Sequence, residues 1–134
     1  MEITLGIAKK LIHAGIKEAL LKGNPCTIAV VDGDGWLVAA ERMDGALIPT
    51  FDIARDKAWT ALAFKMPSSD IYKFGDSTMP GFGFNTTGWN DRITPLAGGL
   101  PIKDGNEVIG AVGVSGNIPK QDIAVCKTAV DAIL

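Results

Sequence analysis

Apolar residues recur at helical spacing through the first two dozen positions. Leu5, Ala8, Ile12, Ile16 and Ala19 form a stripe, widened by Ile3, Ile7 and Leu11, that predicts a helix over 3–22. Gly23-Asn24-Pro25 stops it, because glycine caps a helix and proline cannot continue one. The pattern then becomes the continuous β-branched run TIAVVD (27–32), the signature of a central strand. A Gly33-Asp34-Gly35 turn follows, and WLVAAERM (36–43) returns as an antiparallel partner. After Asp44-Gly45, helical spacing resumes from Thr50 to Lys65 with Pro49 near its start. The inner stripe there is Phe51, Ala54, Ala58, Ala61 and Leu62, mostly small, so this helix is expected close against the sheet. SSDIYKF (68–74) reads as a short helical turn. Residues 75–95 follow neither period. A second hairpin spans 96–103 and 107–115 around Lys103-Asp104-Gly105-Asn106, and 119–134 closes as a helix with Ile123, Cys126, Val130 and Ile133 inward.

Two hairpins interleaved with helices predict an α+β domain built on an antiparallel sheet, one domain over 1–134, with the strand order left open. The second hairpin raises a question of its own. Six glycines fall within the 21 positions 96–116, although glycine weakens a strand and offers nothing to pack. Gly110 and Gly116 share one strand face and Gly113 takes the other. The small stripe of the second helix needs one face bare. The other face, with Gly98-Gly99, is read as open to a ligand or a neighbouring subunit.

Composition narrows the classes. The 134 residues are 47% hydrophobic and 21% charged, as in an ordinary soluble protein, and the net charge of −2 lacks the basic face that nucleic acid requires. No apolar run reaches the ~18 residues of a membrane span. MEITLGIAKKLIHAG lacks the layout of a secretory signal, so a cytoplasmic location is expected. Cys26 and Cys126 are read as free thiols.

Three separated segments, TIAVVDGDGWLVAAERMDGA (27–46), DIARDKAWTA (52–61) and GGLPIKDGNEVIGAVGVSGNIPKQD (98–122), resemble the GlcG/HbpS-like family. This is the haem-degrading or haem-binding domain also found at the C-terminus of PduO-type cobalamin adenosyltransferases. The resemblance implies a profilin-like α+β fold, with a central antiparallel sheet of about five strands and helices on both faces. It also implies homo-oligomers, often octamers, and in some members haem, bound in one case through a histidine of the N-terminal helix. The segment 75–95 is longer than the family's typical loop.

His13 is the sole histidine. At 100° per residue it falls with Glu2, Lys9, Lys10 and Lys17 on the polar face of the first helix, away from its own core. It is either a solvated side chain or, as the resemblance implies, an axial ligand to haem iron, with the lysines as partners for the propionates. A single histidine leaves no Ser-His-Asp triad, since no G-x-S-x-G elbow is present, and no zinc set. GFGFNT (81–86) fails the dinucleotide fingerprint. Arg42, Asp44, Asp56, Lys57, Asp91 and Arg92 are the charged residues nearest the hairpin ends and the long segment. Arg42 and Asp44 suit a local salt bridge. Alternatively Arg42, Lys57 or Arg92 forms an anion-binding rim. Phe82, Phe84 and Trp89 suit closure over an apolar ligand or burial against another subunit. The leading expectation is therefore a haem- or small-ligand-binding oligomer. The first alternative is a cofactor-independent catabolic isomerase, hydratase or lyase acting on a carboxylated metabolite between Gly98-Gly99 and 75–95, with Asp91 as base and Arg92 as carboxylate clamp. The second is an accessory structural subunit.

Overall fold

Thr4 opens helix α1, Leu5–Lys22: its hydroxyl accepts from the Ile7 amide, and Gly23, in the left-handed region, closes the last turn. Strands β1, Thr27–Asp32, and β2, Leu37–Arg42, form the first hairpin. Helix α2 spans Thr50–Phe64 and leads into a 3-10 segment, Ser68–Gly75. Strands β3, Gly99–Asp104, and β4, Glu107–Ser115, form the second hairpin, and α3 spans Pro119–Asp131. The computed structural model describes residues 1–75, 78 and 91–133, with residues 72–75 described by their backbone. Phe82, Phe84 and Trp89 lie outside the described residues.

The order is β2-β1-β4-β3, antiparallel throughout. The two hairpins join through β1 and β4, and this sets the count at four strands among the described residues rather than the five implied by the family resemblance. Helices α1 and α3 cover one face, where Leu11, Ile12, Val125, Cys126 and Ala129 meet Ile28, Val30, Val112 and Val114. Helix α2 covers the other, where Ala58, Ala61 and Leu62 meet Val31 and Ala111.

The register answers the glycine question. Ala40 pairs with Ala29, Ala29 with Gly113, and Gly113 with Gly99, so one rung across all four strands carries nothing larger than a methyl group. Paired residues share a sheet face, and this rung faces α2. A Cβ on Gly113 would run into the Ala54 carbonyl and come within 2.6 Å of the Ala58 amide; one on Gly99 would run into the Lys57 carbonyl. The backbone of α2 therefore rests directly on the sheet. Gly99 lies on this same face, not on the opposite one, and its space is filled by α2 and by Ser68 rather than left to a ligand.

Two helical stripes are offset from expectation. In α1 the buried set is Ala8, Leu11, Ile12, Gly15 and Ala19, and Leu5 is 52% exposed. In α3, Asp122, Val125, Cys126 and Ala129 point inward, and Ile123 is exposed. The α3 offset has a polar cause, because Asp122 is drawn inward by three partners.

Candidate functional site

Those partners define the first cluster of charged groups. Lys57 lies on the sheet side of α2, 3% exposed. Its Nζ donates to the Val114 carbonyl at 2.7 Å and stands 3.6 Å from Asp122 Oδ2. Asp122 also accepts from Asn24 Nδ2 at 3.0 Å and from the Gly116 amide at 3.0 Å, and Asn24 Oδ1 accepts from the Asn117 amide. Burial lowers the Lys57 amine from its ordinary value, against the pull of Asp122. The same burial pushes both neighbouring thiols, Cys26 and Cys126, up to about 12. Gly98, at φ +119, brings its backbone against this cluster: a Cβ there would sit 2.6 Å from the Val114 carbonyl and 3.0 Å from Lys57 Nζ. Lys57, Gly98 and Gly99 are thus brought together, as a closed seam where α2, β4 and α3 meet. This corrects their reading as an anion rim and a ligand bed, because the charges are matched inside the chain.

His13 is placed differently. Its side chain is 68% exposed on α1, and Nε2 stands 3.7 Å from Glu41 Oε2. Ile16 and Leu20 follow on the same helical face. They form one wall of an open groove of about 300 Å³ whose other wall is Glu41, Arg42, Met43 and Asp44. Leu20 is 68% exposed, an unusually bare apolar side chain beside an imidazole. Alternation along β2 separates Glu41 from Arg42, whose Nη1 donates to the Ala46 carbonyl at 2.9 Å. The Arg42 contact is thus with Ala46 rather than the salt bridge expected with Asp44.

Arg92 reaches a second groove, where its guanidinium lies 5.4 Å from the Trp59 ring centroid. The segment entering the second hairpin is tied to α2 by Thr60, whose hydroxyl donates to the Arg92 carbonyl at 2.8 Å and accepts from the Thr94 amide. Asp91 is exposed and is not among the described residues lining that groove. Asp56 pairs with Arg55 at 3.6 Å, and burial raises its carboxyl above the ordinary value while Arg55 opposes the rise. Among the described residues, no cluster of His, Cys, Asp and Glu has the makings of a metal site, and no helix is long and apolar enough to cross a membrane.

Sequence reasoning missed Asp122, Asn24, Glu41 and Arg55. For Glu41 the signal was present: strict alternation from Arg42 puts it on the α1 face. Asp122 carried no signal, because an acidic residue in the first turn of a helix is ordinary dipole chemistry.

The comparisons with known proteins agree with this architecture. The family model described as haem degrading protein HbpS-like matches residues 3–131. A 15.0 kDa Citrobacter freundii protein from the dhaT-dhaS intergenic region is 38% identical over 132 residues, covering 96% of this chain and 90% of that protein. The crystal structure of Klebsiella pneumoniae protein ORFY superposes with a TM-score of 0.91 at 33% identity, covering 98% of this chain and 91% of that one. A crystal structure of a PduOC:heme complex superposes with a TM-score of 0.91 at 24% identity, covering 98% and 95%, a likeness of fold.

Proposed function

The chain belongs to the HbpS-like family of haem-degrading proteins, and from that premise we propose that it binds haem on the His13 face as a homo-oligomer. The observation that carries this reading is the exposed imidazole beside Glu41, with Ile16, Leu20 and Met43 as the apolar part of the groove that Glu41 also lines. An unneeded histidine on a solvated face requires no apolar flank. Ile16, Leu20 and Met43 supply one, and the exposed Lys9, Lys10 and Lys17 supply cations for the propionates. The haem complex of PduOC supports the same ligand class for this fold.

The residues present suit one side of the macrocycle. His13 provides a single axial nitrogen. Ligation through Nε2 requires the Glu41 carboxylate to turn aside, and at 45% exposure it turns into water. Four pyrrole rings exceed a groove of about 300 Å³, so this groove would hold only part of the macrocycle. A second copy of this chain would cover the remainder, and Leu47 at 58% and Ile48 at 85% exposure are apolar residues of the kind an interface buries. Haem held there by His13 would supply a redox-active iron.

A hemin titration of the apo protein beside His13→Ala tests the proposal. Saturable binding with a shifted Soret band is expected. His13→Ala should remove the shift and weaken binding about tenfold or more, the scale of one lost axial bond among several contacts. A titration that never saturates, or one indifferent to His13, overturns it. Light scattering of the same sample tests the oligomer, and a monomer at every concentration refutes it.

A further inference from the structure

The second groove, at the turn end of the first hairpin, has about 290 Å³ and is lined by Gly35, Trp36, Leu37, Arg55, Trp59 and Arg92. It shares no residue with the His13 groove. Its parts are held rigidly. Asp32 Oδ1 accepts from the amides of Asp34 and Trp36, both at 3.0 Å, and the Asp32 amide donates to the Trp36 carbonyl at 2.9 Å. This locked turn holds the Trp36 indole 69% exposed. Gly35, at φ +88, carries no Cβ, and the Trp59 indole fills that space: a Cβ would sit 3.2 Å from its Nε1. Arg92 stacks on the same indole. The Trp59 indole and the backbone of Trp36 are thus fixed before any ligand arrives, which removes part of the ordering cost of binding.

Two cations among the described residues line the groove, Arg92 over the Trp59 indole and Arg55, one helical turn before Trp59 on α2. Its carboxylate neighbours, Asp52 and Asp56, stand at 3.7 and 3.6 Å, beyond hydrogen-bonding distance, and its Nε has no hydrogen-bond partner among the described residues. The Arg55 side chain is 43% exposed, so the outer nitrogens of its guanidinium are available to a carboxylate in the groove although Nε is buried.

We propose that this groove binds a small, flat aromatic carboxylate, its ring against Trp36 and Trp59 and its carboxylate on Arg55. The volume sits at the bottom of the ~300–1,000 Å³ range of small-molecule sites, which suits one or two rings. The site is separate from the haem face in position, and its ligand is chosen by the two indoles and the cation that line it.

The test uses 1-naphthoate, with 1-naphthamide and cyclohexanecarboxylate as controls, followed by the indole N–H resonances in nitrogen-15 NMR. Naphthoate is expected to shift the Trp36 and Trp59 resonances saturably. The neutral amide, which removes the charge, and the Arg55→Gln variant should each bind about tenfold more weakly. Cyclohexanecarboxylate, which keeps the charge and loses the flat ring, should also bind more weakly, and His13→Ala should leave naphthoate binding unchanged. Absence of a saturable shift at millimolar naphthoate overturns the proposal. So does equal binding of acid and amide, or binding lost with His13. The amide control keeps the result decisive even if Arg55→Gln disturbs α2.

Discussion

Two polar residues, Lys57 and His13, sit in opposite layers of this sheet and have opposite fates. Lys57 reaches the end of β4, donates to a backbone carbonyl, and faces a carboxylate that is itself held by Asn24 and Gly116. Every partner is internal and buried. His13 projects from α1 into water, with one loose carboxylate neighbour and a bare Leu20 two turns on. The difference lies in what surrounds each group. A matched, dry cluster holds layers together and has nothing to offer a ligand. An unmatched polar group beside uncovered apolar surface is where a ligand gains both a bond and burial.

The comparison breaks most visibly at the seam. Lys57→Ala removes the cation and leaves Asp122 buried beside two neutral donors, and stripping one partner from a buried pair costs about 3–5 kcal/mol. His13→Ala, on the exposed side, should leave stability within about 0.5 kcal/mol. Urea midpoints at constant m-value report both. A Lys57→Ala loss below about 1 kcal/mol would show that water reaches the seam and that the closed reading is wrong.

The glycine rung sharpens the same point through the backbone. Gly113→Ala sets a methyl group against the α2 main chain, where no rotamer relieves it, and the expected loss is about 2–3 kcal/mol. Gly105→Ala at the exposed hairpin turn has open space around its Cβ position and costs only the left-handed backbone, about 1 kcal/mol. If the two variants melt alike, α2 is not resting on the rung.

Much of the fold was legible in the residues. TIAVVD marked its own strand, Thr4 to Gly23 bounded α1, and Ala54, Ala58 and Ala61 announced a helix lying close to a sheet. The face of Gly98-Gly99 was not legible, because it depends on the β3–β4 register, and a pairing shifted by one residue reverses every face. Nor was the fate of Lys57. Its spacing put it beside Ala54 and Ala58, but its partner Asp122 lies 65 residues away in another layer, brought near only by the order β1-β4-β3. His13 was placed correctly as an exposed residue because amphipathicity is local. Its apolar groove needed β2 to be an edge strand beside α1, and periodicity does not specify an edge.

The smallest effect concerns protons, and it tests how dry the seam is. Cys26 and Cys126 ionise near 9.0 when unfolded, whereas burial raises them to about 12 in the fold. Above pH 9 the unfolded chain gives up thiol protons that the folded chain retains, so stability must fall as pH rises from about 9 toward 12. Between pH 9 and 10 the loss is about 1 kcal/mol per thiol. Lys57 acts with the opposite sign. Its folded value is lowered from 10.5, so the fold releases that proton first, and its contribution rises with pH until the unfolded amine also titrates. Comparing the parent with the Cys26→Ala, Cys126→Ala double variant removes the thiol part and leaves that of Lys57. The parent should lose stability on the alkaline side more steeply than the variant, and its thiols should resist iodoacetamide at pH 8 until the chain is unfolded. Parallel alkaline profiles together with rapid native labelling would mean that solvent enters where Lys57 meets Asp122. The seam would then be as open as the groove at His13.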